Sequence, residues 1–263
     1  MAKKDQFIVV CADSEATAGR LLPTAHLFAK RLRKGIILLT CSPGGEEWVE
    51  KFDVPYMALK GDWKTAIDAL PTVMNAVLAL ALADPAASRR EFTHPHQLLK
   101  NFRDCKVAYL VLSPDSQVST LEGRFSTALT IDHQRESKEK LIWASYMARF
   151  FGSSVYVMHK VYRDAAFKSR WSNNMRYLEK VFSSLGLSYE TALLEGGSEF
   201  GNPDLAAIKK EGFELFIALI PDRRDRDLGD LFLKAAEQRL IENPRHLPIL
   251  LLNQRDDLYV LCD

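Results

Sequence analysis

The chain has 263 residues, 47% of them hydrophobic, with 35 lysines and arginines against 34 aspartates and glutamates, a formal charge of +1. A balance that close supplies no net field to draw the protein onto nucleic acid or an anionic lipid surface, and neither is expected as a partner. The length suits two domains of the commonest size, each able to bury its own core.

Cys11, Cys41, Cys105 and Cys262 are scattered, without a CxxC pair, and Met1–Gln6 leads into a strand with no apolar leader. Both features point to a reducing cytoplasm. The longest apolar run, Ala76 to Ala83, is too short to span a bilayer.

A first strand, Phe7 to Ala12, ends on Asp13. A helix follows with Leu22, Ala25, Ala29 and Leu32 on one face, then a second strand, Ile36 to Leu39. Strand, helix and strand in this pattern read as a βαβ unit of a parallel sheet. Pro23 falls inside the helix and predicts a late start or a bend. Ser42-Pro43-Gly44-Gly45 makes a turn before a short helical piece at Glu46–Lys51. Val54 to Leu59 is a third strand, and Asp62 caps a helix from Trp63 that ends near Pro71–Asn75. Val77 to Leu82 is a fourth strand, Asp84 to Pro95 a polar loop, His96 to Arg103 a helix, and Val107 to Leu112 a fifth strand. Five strands with intervening helices predict a doubly wound parallel sheet.

After a polar linker at Ser113–Gly123 the order repeats. Thr127–Ile131 is a strand, Glu136–Phe151 a helix and Ser154–His159 a strand. A helix at Ser172–Leu185 closes on Gly186, and Tyr189–Leu194 is a strand. A helix begins at Gly201-Asn202-Pro203-Asp204, with proline near its first turn. Leu215–Ile220, a helix at Asp230–Glu242 and Leu247–Leu252 complete the set, and the tail at Asp256–Asp263 offers an edge strand, Leu258–Leu261. An offset of 119 places Asp13 on Asp132, Leu22 on Leu141, Ala25 on Ala144, Ala29 on Ala148, Lys30 on Arg149 and Ile36–Leu39 on Val155–Met158, without a gap. Four of these pairs are identities; what repeats is the pattern. The expectation is an α/β chain of two tandem, doubly wound, five-stranded parallel-sheet domains, 1–113 and 125–263, joined by a linker at 114–124.

An acid closing the first strand of each copy (Asp13, Asp132), the stretch Gly201 to Leu219 and the closing strand Pro248 to Leu252 together resemble a universal stress protein in its tandem form. The resemblance covers nearly the whole chain and rests on element order and hydrophobic pattern. It implies the adenine nucleotide alpha hydrolase-like fold, and a chain similar to a dimer made covalent, its sheets meeting along their last strands. It also implies a pairing of the two copies within the chain, with room for a homodimer. In the nucleotide-binding branch of that family the fourth strand is followed by Gly-x2-Gly-x9-Gly-Ser/Thr, whose backbone N–H groups close around phosphates. The loop Asp84 to His94 has no glycine, and Pro221 to Asp230 has one, Gly229. The chain looks like the branch that holds no nucleotide, and no cofactor is expected, with ATP or AMP as the ligand if one is held.

Asp13 and Asp132 carry two readings. By the resemblance each lies beside a bound adenosine; by structure each answers the positive end of a helix. Arg89 and Arg90 follow the fourth strand of the first copy, and Arg223, Arg224 and Arg226 that of the second. Such forks grip an anion without a glycine loop, while the interleaved acids Glu91, Asp225 and Asp227 favour a solvated loop of mixed charge. His94-Pro95-His96 has no Cys or carboxylate cluster beside it to make a metal site. Cys11 and Cys41 fall on neighbouring strand ends as core residues. The chain contains no GxSxG, HExxH, GxxxxGK[ST], GxGxxG or CxxC. The expected function is a non-catalytic stress-response protein that works through protein–protein surfaces, with unknown protein partners. The alternative is a nucleotide- or small-anion-binding module with a degenerate pocket in one copy.

Overall fold

The computed structural model describes residues 5–116, 121, 123–133, 137–159, 161–193, 212–220, 240–242 and 247–253. The first half contributes β1 (Phe7–Cys11), β2 (Gly35–Thr40), β3 (Tyr56–Ala58), β4 (Ala76–Leu82) and β5 (Ala108–Leu112). The second contributes β6 (Ser126–Thr130), β7 (Ser154–His159), β8 (Glu190–Leu193), β9 (Leu215–Ile220) and β10 (Ile249–Asn253). All ten join in one sheet, ordered β3-β2-β1-β4-β5-β10-β9-β6-β7-β8. Every neighbouring pair is parallel except one. At the centre β5 and β10 run antiparallel, Leu110 opposite Leu250 and Val111 opposite Ile249. Each half therefore repeats one strand order, and the two meet along their last strands.

Period-two alternation sorts each strand onto two faces. Ile8, Val10, Leu38, Leu78, Leu80, Leu110 and Leu250 enter one core cluster, and Val9, Cys11, Leu39, Ala79, Tyr109 and Leu251 enter the other. The first cluster is covered by α1 (Glu15–Leu32), α5 (Ser137–Tyr146) and α6 (Ala165–Ser184), the second by α3 (Trp63–Asp68) and α4 (Pro95–Phe102). A one-turn helix, α2 (Gly45–Val49), follows β2. Among the described residues no helix is long and apolar enough to cross a membrane.

The N-terminal half of α1 corrects one expectation. The helix starts at Glu15 with Pro23 inside it, so there is no late start. Pro23 lies on the exposed face, where its missing N–H costs least. The start is fixed by Ser14, whose hydroxyl accepts from the Thr17 N–H at 3.2 Å. Lys30 and Arg31 in the last turn answer the negative end of the dipole. Ser14→Ala is expected to lower stability by about 1 kcal/mol. An unchanged midpoint in chemical denaturation would show that the hydroxyl does not cap.

The second half departs from the expected elements in two places. The helix predicted through Phe151 becomes a π turn at Met147–Phe151, closed by Gly152 at φ 69°, a wider turn of the kind that forms inside α-helices. It seats Phe151 against Phe28 of α1 at 4.6 Å between ring centres. The next helix, α6, begins at Ala165 rather than Ser172, because Asp164 accepts from the Phe167 N–H at 2.9 Å. The predicted helix from Gly201 and the tail strand at Leu258–Leu261 lie outside the described residues, as does the predicted helix at Asp230–Glu242 except for Leu240–Glu242.

Candidate functional site

Strand order reverses direction between β1 and β4, the place where open α/β sheets form a crevice at their carboxyl edge. A cavity of about 670 Å³ opens there. Asp13 enters it from the end of β1, Ser42 and Pro43 from the end of β2, and Asp84 and Arg90 from the loop after β4. Thr17 and Arg20 of α1 complete it; neither stood out in the sequence, although both lie one and two turns beyond Asp13.

Asp13 does not cap the helix, since Ser14 does. Its Oδ1 accepts from the Thr17 hydroxyl at 2.9 Å, and that hydroxyl lies 2.9 Å from Ser14 Oγ. The Arg20 guanidinium donates to the Pro114 carbonyl. The two neighbouring arginines part company: Arg90 lines this crevice, while Arg89 lines another of about 840 Å³ with His94, His96 and Glu242. The structure therefore brings together Asp13 and Arg90 but not Arg89. Asp84 and Glu91 share the wall with Arg90, so its charge is mixed.

The loop after β4 uses its own backbone. The N–H of Asp84 donates to the Thr93 carbonyl at 2.9 Å, those of Ala87 and Glu91 to Asp84 and Ser88, and that of His94 to Glu91. The Ala86 N–H donates to the Asp84 carboxylate at 2.9 Å. A phosphate cradle requires such groups to point at the ligand. Within this polar loop Phe92 turns inward and stacks on Trp63, ring centres 3.8 Å apart and 15° from parallel. His94 Nδ1 accepts from the His96 N–H at 3.2 Å and so caps α4. Among the described residues no cluster of three or more His, Cys, Asp or Glu is placed to hold a metal.

Near Asp132 several side chains of the second half pack on one another. His133 stacks on Phe167 at 4.2 Å and meets the edge of Tyr162 at 5.4 Å. Asn174, buried in α6, donates to the Asp132 carbonyl at 2.9 Å. Burial, reinforced by the Asp132 charge and opposed by the His133 N–H, pushes the Tyr162 phenol up to about 12. Lys140, 2% exposed, donates to Thr130 Oγ1 at 3.3 Å. Burial drives its ammonium below the ordinary lysine range, and the Asp132 charge opposes that shift. The offset of 119 that pairs Asp13 with Asp132 pairs Lys140 with Leu21, so a cation occupies a core position of the repeat. Arg223, Arg224 and Arg226 lie outside the described residues.

Nucleophilic chemistry finds no support in the described cysteines. Burial, then the charges of Cys105 and Cys41, pushes the Cys11 thiol well up. Burial also raises Cys41 and Cys105 to about 11. A thiol so protonated near neutral pH is inert.

No protein-family model matches the sequence, and no curated protein matches it. Solved structures do. A universal stress protein from Archaeoglobus fulgidus superposes with a TM-score of 0.65 at 14% identity, over 95% of this chain and 97% of that one. A putative universal stress protein from Pseudomonas aeruginosa gives 0.60 at 14%, over 99% and 96%. The cytoplasmic domain of a prokaryotic cation chloride cotransporter gives 0.57 at 12%, over 98% and 100%. At these identities the likeness establishes a shared α/β fold, and function has to be argued from the site.

Proposed function

We propose that this chain is a tandem universal stress protein, with domains at 1–113 and 125–263, that acts without catalysis in a cytoplasmic stress response by presenting surfaces to protein partners. The observation that carries the reading is the loop after β4. Its N–H groups at Asp84, Ala86, Ala87, Glu91 and His94 are engaged within the loop, and Phe92 closes it onto Trp63. Support for surface action comes from the two strands that end the sheet order. Tyr56 of β3 is 44% exposed and Leu193 of β8 is 54% exposed. Edge strands with apolar side chains are sites of chain-to-chain pairing.

A second reading, a small anion held in the first copy, is favoured by one observation: Asp13 and Arg90 line the same crevice. Thermal unfolding with ATP, AMP and inorganic phosphate separates the two. A ligand at a hundred times its Kd stabilises by about 2.7 kcal/mol. The expected result is no stabilisation at millimolar concentration. Saturable stabilisation by ATP that Asp13→Asn removes would overturn the main reading, and stabilisation by phosphate that Arg90→Ala removes would establish the second.

A further inference from the structure

Away from the crevice just described, a groove of about 930 Å³ opens where the two halves meet. Its floor is the amino ends of β4 and β5 beside the end of β10, and one wall is the outer face of α5 with its π turn. That wall is aromatic. Trp143 meets Tyr146 edge-on at 5.6 Å, and Tyr146 meets Phe150 at 5.9 Å. Tyr146 is 41% and Phe150 37% exposed, so the rings are laid open rather than packed away. Three cations border them: Lys34, Lys106 and Arg149. Among the described lining residues Glu139 is the single carboxylate.

The floor has an unmet requirement. Asn253 is 8% exposed and lines the groove. Its amide donates to the Phe102 carbonyl at 2.6 Å and to the Cys105 carbonyl at 2.7 Å, which uses both of its protons. Its Oδ1 is buried without a hydrogen-bond partner. A buried acceptor left unpaired is costly, and a ligand that carries a donor relieves it.

We propose that this groove binds a small aromatic carboxylate that also bears a hydroxyl or amino donor. The ring lies on Trp143, Tyr146 and Phe150, where stacked and edge-on contacts are favourable. The carboxylate faces Lys106 and Arg149 on the rim, with Lys34 behind them. Lys34 gives one proton to Gln6 Oε1 and retains others for an anion. Arg149 is held 5.4 Å over the Phe150 ring, which fixes its fork beside the aromatic wall. The donor is assigned to Asn253 Oδ1, the unpaired acceptor beneath the floor. The volume falls within the range of small-molecule sites, about 300–1,000 Å³, and an apolar wall with a few convergent polar groups is their usual build.

The test is calorimetric titration of the full chain with 4-hydroxybenzoate, benzoate and phenol. Saturable one-to-one binding of 4-hydroxybenzoate is expected, weaker with benzoate, which lacks the donor, and absent with phenol, which lacks the anion. In Lys106→Ala/Arg149→Ala, both surface positions, affinity should fall about tenfold or more. In Trp143→Leu the accompanying tryptophan fluorescence change should vanish. Absence of saturable heat with 4-hydroxybenzoate up to about 10 mM, a weak ceiling even for a small ligand, would overturn the proposal. So would phenol binding equally well, or undiminished affinity in the double variant.

Discussion

Replacing Phe28 by alanine is expected to destabilise the protein by about 3–5 kcal/mol, the range for deleting a fully buried phenylalanine. Phe28 is 0% exposed on the inner face of α1. Its ring lies 4.6 Å from Phe151 of the π turn, which stacks edge-on against Phe125 at 5.9 Å. The three rings tie the long helix of the first half to the second half, so the cavity opens where neither half alone can collapse to fill it. In a chain of this size each kcal/mol shifts the midpoint by roughly 2–4 °C, and a fall near 10 °C should follow. A denaturant midpoint lowered at constant m is the cleaner readout. A loss below about 1 kcal/mol would mean that the seam relaxes around the vacancy and that the packing of α1 on the π turn contributes little.

Lys140→Met should move stability the other way, by about 1–4 kcal/mol. Lys140 is 2% exposed, and its ammonium donates to the neutral Thr130 hydroxyl. The Asp132 charge opposes the cost of its burial without cancelling it. The first half holds Leu21 at the equivalent position, wholly buried, so the repeat accepts an apolar side chain there. The pH dependence carries the diagnosis. Lys140 has a folded pKa below its ordinary value of 10.5, so in the window between the two the unfolded chain binds the additional proton. Stability from this group therefore rises with pH across that window. Below it the penalty is complete; above 10.5 it is gone. The advantage of Lys140→Met over the parent should thus be largest at pH below that window and shrink as pH climbs through it toward 10.5. A gap that stays flat with pH, or a variant less stable than the parent, would refute the account.

Sequence pattern carried the central strands well because β1, β4, β5, β9 and β10 are short, mostly buried apolar runs bounded by breakers, whereas the edge strands β3 and β8 hold no buried residue. That the two sheets meet along β5 and β10 followed from the family resemblance and not from the residues, and the antiparallel direction of the pair, Leu110 opposite Leu250, was not foreseen, since nothing in either strand encodes its neighbour. The early start of α6 was illegible for a physical reason: Ala165–Arg170 are exposed and carry no apolar stripe, and only the cap at Asp164 marks them. The π turn left no trace either, because Met147–Phe151 continues a helical pattern whose hydrogen bonds alone reveal the wider turn.

The candidate site was half legible. Asp13 and Arg90 do converge, but Arg89, one residue away, faces a different cavity, because a loop without periodicity does not disclose where side chains point. The glycine-free loop was plain from composition; that Phe92 folds back over Trp63 was not. Lys140 was within reach of the sequence, since a charged residue aligned with a leucine in an internal repeat marks a buried anomaly.

The reversed central pair has a geometric corollary. Because β5 and β10 point in opposite directions, the carboxyl rims of the two halves open at opposite poles of the slab. A molecule placed over Asp13 would leave the Asp132 end untouched, so the two rims are geometrically independent of each other.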